Sequence, residues 1–282
     1  MAVLINKNTK IMVQGITGTQ ASFHIKRSID YGTNIVCGVT PGKGGITHLG
    51  VPVFDSVKEA YNKTQADTTI LFVPGTSVKA ATMESLEAGI KLIVCISNNV
   101  PVHDMLFIRN ALKKTDTVFI GPETPGIITP DEARLGIFPL NLFSRGKIGI
   151  LSRSSTLTYE AVLAVNKAGF GQSSVIGLGD GMIIGMDFVK SLELLCQDDE
   201  TQAIVMIGQQ YGEFEEEGAK WYKSQKSRKP VICYSAGSDV DENGHTIEYP
   251  LKNKLQFKRD CGIIFADELP QIYEKLISLD LK

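Results

Sequence analysis

Two stretches of the chain combine residue types able to hold an anion. In Gln14-Gly15-Ile16-Thr17-Gly18-Thr19-Gln20 and in Ser152-Arg153-Ser154-Ser155-Thr156, an apolar run gives way to small and hydroxyl residues and then to a helical pattern. Such a turn aims free backbone N–H groups and the positive end of a helix dipole at one spot, which suits phosphate or carboxylate. The first stretch has a cationic companion, Lys43, in the glycine loop Pro41-Gly42-Lys43-Gly44-Gly45 after the next strand-like run. It is not Gly-x-Gly-x-x-Gly, and an NAD site would place an acidic residue where Lys43 stands; a lysine there suits a ribose phosphate. For the second stretch, plain N-capping is the alternative reading. Of the four histidines, His24, His48 and His103 lie in the first half, where core or surface roles suffice. His245 alone lies in the second half, in the polar loop Asp241-Glu242-Asn243-Gly244-His245-Thr246-Ile247.

The elements that must position these residues alternate almost throughout. Apolar runs at 11–14, 34–39, 69–73, 92–96 and 118–120 predict strands, and the stretches at 20–31, 56–65, 78–88 and 102–114 predict helices, with Ser56 as an N-cap. Residues 3–5 form a leading strand or arm. Residues 121–146 break the rhythm with Pro122, Pro125, Pro130 and Pro139, which predicts a junction that crosses the surface. The pattern restarts with strands at 147–151, 171–177, 203–207, 231–234 and 263–265 and helices at 156–168, 187–195, 213–224, 252–261 and 269–276. Continuous apolar strands between helices imply an α/β chain with parallel sheets, which bind ligands at the carboxyl ends of their strands.

Composition narrows the function. In 282 residues, 29 Lys+Arg face 31 Asp+Glu, so there is no electrostatic case for nucleic acid or a membrane surface as partner. No apolar run approaches membrane-spanning length, and the expected location is the cytoplasm, or an organelle matrix for a mature form. The five cysteines are scattered without metal-ligand spacing, so buried free thiols and no metal site are expected.

Gln14 to Gln20, the run Gly38-Val39-Thr40-Pro41-Gly42-Lys43-Gly44-Gly45-Ile46-Thr47-His48-Leu49-Gly50, then Phe72-Val73-Pro74, Ala88-Gly89-Ile90-Lys91, Gly121-Pro122, Pro125-Gly126, Ser152-Arg153-Ser154 and Thr156-Leu157-Thr158-Tyr159-Glu160 together resemble the α-subunit family of succinyl-CoA synthetase (succinate–CoA ligase, NDP-forming). The resemblance covers nearly the whole chain and is strongest before about residue 235. It implies a Rossmann-like CoA-binding domain over 1–125, a linker over 126–146 and a flavodoxin-like ligase domain over 147–282. It implies that Thr17, Gly18, Thr19, Gln20 and Lys43 hold the nucleotide end of CoA, and that Ile96, Ser97 and Asn98 line its thiol-bearing arm. By the same resemblance Ser154, Ser155 and Thr156 cradle phosphate, Tyr159 contacts a small organic acid, and His245 takes the phosphoryl group. The reaction joins CoA to the acid through an acyl phosphate and a phosphohistidine. ATP or GTP and Mg²⁺ would be held by a separate β subunit, in an αβ or α2β2 assembly, since this chain has no Walker motif.

Three departures from the family pattern cluster on one chemical step. Ser155 stands where the family usually has glycine, and Gln209 stands where a carboxylate would orient the imidazole. Gly244-His245-Thr246-Ile247 replaces Gly-His-Ala-Gly-Ala. The residues leave open a ligase with a modified second site, a ligase for a different acid, and a CoA-binding regulatory paralogue that has lost phosphorylation.

Overall fold

The computed structural model describes residues 3–209, 214–226, 228–236 and 259–281. The chain divides into two compact units, Ala2–Asn141 with Ile176–Met186, and Leu142–Val175 with Asp187–Lys282.

The first unit contains β1 (Ile11–Gln14), α1 (Thr19–Asp30), β2 (Ile35–Val39), β3 (Thr47–His48), β4 (Val51–Phe54), α2 (Val57–Thr64), β5 (Thr68–Leu71), α3 (Val78–Glu87), β6 (Leu92–Cys95), α4 (Val102–Leu112) and β7 (Val118–Ile120). The sheet runs β3-β4-β2-β1-β5-β6-β7, with every pairing parallel except β3 with β4. Setting β3 aside, the six parallel strands follow the 3-2-1-4-5-6 order of the Rossmann fold. All four residues of β1, β5 and β6 are buried, because helices cover both faces; this is why these strands read as unbroken apolar runs. Helix α1 buries Ala21, Ile25 and Ser28, a spacing of one helical face. Ser56 caps α2 as the sequence predicts, its Oγ accepting from the Glu59 N–H at 3.2 Å.

The second unit contains β10 (Arg145–Ser152), α5 (Ser155–Lys167), β11 (Gln172–Gly177, its last two residues in the first unit), α6 (Phe188–Gln197), β12 (Ala203–Gln209), α7 (Phe214–Ser224), β13 (Val231–Ala236), β14 (Ile264–Phe265) and α8 (Gln271–Ile277). These strands lie in the order β14-β13-β12-β10-β11. Numbered from β10, that is the 2-1-3-4-5 order of the flavodoxin-like fold. The helix expected over 252–261 falls mostly outside the described residues.

The stretch at 121–146 differs from the surface crossing that its prolines suggest. It holds an antiparallel hairpin of β8 (Gly126–Thr129) and β9 (Ala133–Gly136), with every strand residue buried. The buried set includes Arg134, 1% exposed. Its Nε donates to the Phe138 carbonyl at 2.7 Å, and Nη1 donates to the His24 carbonyl and to Ser28 Oγ, each at 2.9 Å. Residues 3–5 form no strand, but Val3 and Ile5 are buried and the Ile5 carbonyl accepts from Thr129 Oγ1, so the segment is an arm packed on the unit.

Cys37, Cys95, Cys233 and Cys261 are buried thiols, and Cys196 is half-buried; none of the five is in a disulfide. Burial pushes Cys37 up to about 11 and Cys95 up to about 12. Among the described residues no group of three or more His, Cys, Asp or Glu side chains could hold a metal ion, and no helix is long and apolar enough to cross a membrane.

Two outcomes follow. Arg134→Met keeps the length of the side chain but strips donors from two buried carbonyls, so it lowers unfolding free energy by about 3 kcal/mol in a denaturant titration; a loss below about 1 kcal/mol would mean that water replaces the guanidinium. At pH 8, Cys37 and Cys95 resist an aromatic disulfide reagent until denaturant is added; mass mapping that finds either labelled at a free-thiol rate in the native protein contradicts their burial.

Candidate functional site

The strand order of the first sheet reverses between β1 and β5, and the turn after β1 opens there. Gly15 has φ +79°, and a Cβ at that position would lie 2.5 Å from the Phe72 carbonyl oxygen, so the turn tolerates only glycine. The Gly15 N–H donates to the Val39 carbonyl at 2.8 Å and the Gly18 N–H to the Gly15 carbonyl at 3.0 Å, which closes the turn. Gly18 is the N-cap of α1, extended at φ −71° and ψ 149°, with no side chain to cap the first turn. The N–H groups at the start of α1 are therefore left for an outside acceptor. Lys43, 26 positions from Thr17, reaches back so that its Nζ donates to Thr17 Oγ1 at 3.1 Å; Thr17 Oγ1 in turn donates to Thr40 Oγ1 at 3.3 Å. Thr17 is half-buried, while Gly18, Thr19, Gln20 and Lys43 are exposed.

A cavity of about 540 Å³ lies at this reversal, walled by Gly15, Thr17, Val39, Thr40, Phe72 and Pro74, among others. Its floor includes a residue that sequence reasoning passed over. Gln14 is 3% exposed, and its Nε2 donates to Thr69 Oγ1 at 3.2 Å and Ser85 Oγ at 2.8 Å, which ties β1, β5 and α3 together beneath the cavity. His48 bonds Ser22 Oγ through Nε2 at 2.7 Å. His24 lies edge-on to Phe23 and stacked on Phe72, its pKa lowered by burial and then by the charges of Arg134 and Arg27.

The seam continues along the carboxyl edge of the sheet. The Ile96 N–H donates to the Leu71 carbonyl, and Ser97, 9% exposed, donates from Oγ to the Val73 carbonyl at 2.6 Å. Gly75 is required here as well, since a Cβ would meet the Asn98 and Asn99 carbonyl oxygens at 2.5 Å. Beyond β7, the Glu123 N–H donates to the Ser97 carbonyl at 3.2 Å, and Glu123 Oε1 accepts from the Asn99 N–H at 3.1 Å. The strand ends thus form a row in the order Lys43 loop, Gly15 turn, Phe72 to Pro74, Ile96 to Asn98, Glu123. At about 4.8 Å per strand, the row is about 19 Å long. Glu123 was not singled out from sequence, although its place three residues past the run 118–120, after Gly121-Pro122, was the available signal.

In the second unit the reversal lies between β10 and β12, and the Arg153 N–H donates to the Ile207 carbonyl across it at 3.0 Å. Ser154, Ser155 and Thr156 come together at the start of α5, with Tyr159 one turn on and half-buried. Ser154 is the N-cap, its Oγ accepting from the Leu157 N–H at 3.2 Å. Ser152 locks the turn from below, with its Oγ donating to the Ser154 carbonyl and accepting from the Ser154 N–H. Arg153 is 4% exposed, with its guanidinium 5.1 Å from the centre of the Phe214 ring. Gln209 ends β12, where its N–H donates to Glu215 Oε1 at 2.8 Å. Glu215 is 2% exposed, so this strand end does carry a carboxylate, supplied by α7. The run Glu215-Glu216-Glu217 reads in sequence only as a helix start. His245 and its loop lie outside the described residues.

Two family models match the chain: a CoA binding domain over residues 6–99 and a CoA-ligase over residues 151–254. The ADP-forming succinate–CoA ligase subunit alpha 2 of Archaeoglobus fulgidus is 48% identical over 237 residues, 84% of this chain and 82% of that protein. The corresponding alpha subunit of Staphylococcus aureus is 45% identical over 286 residues, 98% of this chain and 94% of that protein. Among solved structures, ATP citrate lyase from Methanothrix soehngenii, in complex with citrate and coenzyme A, shares the fold with a TM-score of 0.82 at 20% identity, over 99% of this chain and 52% of that one; this chain thus spans about half its length. The dinucleotide forming acetyl-coenzyme A synthetase 1 of Ca. Korarchaeum cryptofilum gives a TM-score of 0.77 at 18% identity, over 95% of this chain and 60% of that one. Close identity over nearly the full length, with both family models in register on the two units, means that the chain belongs to the succinate–CoA ligase α-subunit family.

Proposed function

We propose that this chain is the α subunit of an NDP-forming acyl-CoA ligase that makes a CoA thioester from a small carboxylic acid, succinate or a close relative. The observation that carries the reading is the first turn: uncapped N–H groups at the head of α1, with the Lys43 ammonium hydrogen-bonded to Thr17 of the same turn. Bare N–H groups and a point charge are complementary to the phosphates of CoA, and the glycine-only contact of Gly15 with Phe72 provides the close backbone approach that such a ligand needs. Bound CoA supplies the thiol that becomes the thioester.

In this reading Thr17, Gly18, Thr19, Gln20 and Lys43 hold the nucleotide end, and Ile96, Ser97 and Asn98 line the path of the arm. The N–H groups of Ser155 and Thr156 take phosphate, with Ser154 holding the turn in place, and Tyr159 contacts the acid. His245 carries the phosphoryl group between the acyl phosphate and a nucleotide. ATP or GTP and Mg²⁺ belong to a β subunit, as αβ or α2β2, working in the cytoplasm with neither nucleic acid nor membrane as partner.

Lys43→Glu removes one charge-assisted contact and adds a repulsion, so CoA affinity of the heteromer falls by about a hundredfold in calorimetry; an unchanged Kd would remove Lys43 from the site. Incubation of the heteromer with γ-labelled nucleoside triphosphate labels this chain, and His245→Asn abolishes the label. An unlabelled wild-type chain beside a competent β subunit would instead make this a CoA-binding subunit without phosphoryl transfer.

A further inference from the structure

Glu123 stands at the last strand end of the first unit's row, where nothing above gives it a role. Its backbone and one carboxylate oxygen are committed, through the Ser97 carbonyl and the Asn99 N–H. Its second carboxylate oxygen has no hydrogen-bond partner among the described residues. The side chain lines a second cavity of about 260 Å³, whose other walls include Val100, Val102, Met105, Pro122 and Ile183. The backbone is held in the left-handed region at both Glu123, φ +58°, and Asn99, φ +56°. Neither is glycine, and non-glycine residues in that region concentrate where a site fixes a side chain against local preference.

The row of strand ends says what reaches this cavity. If the phosphates lie over the Gly15 turn, an arm that crosses β5 and runs past Ile96, Ser97 and Asn98 arrives at β7. Three strand spacings, about 14 Å, separate the β1 and β7 ends, a span suited to an extended pantetheine chain. The reactive thiol then enters a cavity of mixed lining, apolar on the side of Val100, Val102 and Met105, that presents one unpartnered carboxylate oxygen.

We propose that Glu123 is the group that receives the proton of the CoA thiol as the thioester forms. This rests on the CoA reading of the first site. The S–H bond breaks as its proton moves to the free oxygen of Glu123. The sulfur lone pair forms a C–S bond to the acyl carbon of the acyl phosphate that the ligase reaction supplies. The C–O bond to phosphate breaks and its electron pair leaves on the phosphate oxygen, and the proton on Glu123 passes to solvent. In the reverse direction the protonated carboxyl returns the proton to the leaving thiolate.

The surrounding charges favour proton transfer over a bystander role. Among the described residues, Asp180 is the only other charged side chain lining the cavity, and α4 contributes only the apolar Val102 and Met105. The thiol of Cys95, at the end of β6, is raised first by burial and also by the charge of Glu123, against hydrogen bonds from Ser97. A charged carboxylate beside a thiol opposes a free thiolate. It assists the reaction only by taking the proton itself.

The test uses the intact heteromer and compares CoA with desulfo-CoA. Wild type binds CoA about tenfold more tightly than desulfo-CoA, through the S–H to carboxylate hydrogen bond. Glu123→Gln binds the two within about twofold of each other, while labelling of the chain by nucleoside triphosphate is unchanged. Its kcat for thioester formation at pH 7 falls by about a hundredfold or more with KM little altered, and the deficit narrows as pH approaches the thiol's own pKa near 8.5. Glu123→Asp keeps the carboxylate and with it most of the discrimination, and it serves if the glutamine variant fails to fold. Equal affinity of wild type for CoA and desulfo-CoA, or a deficit in Glu123→Gln that stays constant with pH, overturns the proposal. Wild type that binds neither ligand overturns the CoA reading itself and this inference with it, whereas good CoA binding without discrimination overturns only the role of Glu123.

Discussion

Everything functional in this chain depends on where its parallel strands reverse order. A parallel sheet sends its crossover helices to both faces, and adjacent connections diverge where the order turns back. In the first unit that point lies between β1 and β5, and in the second between β10 and β12. Both candidate turns, Gly15 to Gln20 and Arg153 to Thr156, fall on these points because each follows the first strand of its unit. The carboxyl edge also lines up the ends of β2, β1, β5, β6 and β7, so an extended ligand can be met at successive strand ends by groups that are remote in sequence.

The two turns use the same helix-end physics differently. The first has no side-chain cap, its glycines bring backbone close to backbone, and its cation sits on a separate loop hinged by Gly42 and Gly45 at φ +77° and +86°. Its first-turn N–H groups, exposed and without a side-chain cap, are left to water or a ligand. In the second, Ser154 already satisfies one first-turn donor, an interaction worth about 1 kcal/mol to the helix. Ser152 fixes the turn further, and Arg153 is turned into the interior against Phe214. The first turn is an uncapped helix start with a cation beside it. The second is a pre-formed ledge on which fewer N–H groups remain, and its chemistry needs residues from elsewhere.

The fold was legible because buried parallel strands have a plain signature. Ile11 to Gln14, Thr68 to Leu71 and Leu92 to Cys95 are covered on both faces and read as such. The hairpin at Gly126–Thr129 and Ala133–Gly136 was not, because Arg134 interrupts an apolar pattern and the flanking prolines mimic a linker. Only the structure reveals that carbonyls of His24 and Phe138 converge to receive that guanidinium. The glycines that bracket Lys43 at a strand end marked it as a loop cation, and the structure brings it to Thr17 of the first turn. Gln14 was not legible, since one amide at the end of an apolar run gives no sign of the hydroxyls of Thr69 and Ser85 that meet it from 55 and 71 residues away.

Carboxylates at strand ends show how burial sorts structural from chemical roles. Glu123 and Glu215 are built alike: each gives one oxygen to a backbone N–H beside a strand end, Asn99 for the first and Gln209 for the second. Their surroundings separate them. Glu215 is 2% exposed, and a Cβ on Gly208 would crowd its carboxylate at 2.9 Å, so its position is fixed by packing and its influence reaches outward through the backbone it holds. Glu123 is half-buried, faces a cavity and keeps an oxygen to spare. A carboxylate sealed in the interior can orient its neighbours but cannot exchange a proton with a ligand, whereas one that opens on a cavity can do both. The same hydrogen-bond motif therefore serves as a brace in one unit and as a reactive group in the other, and the difference lies in the space left beside it.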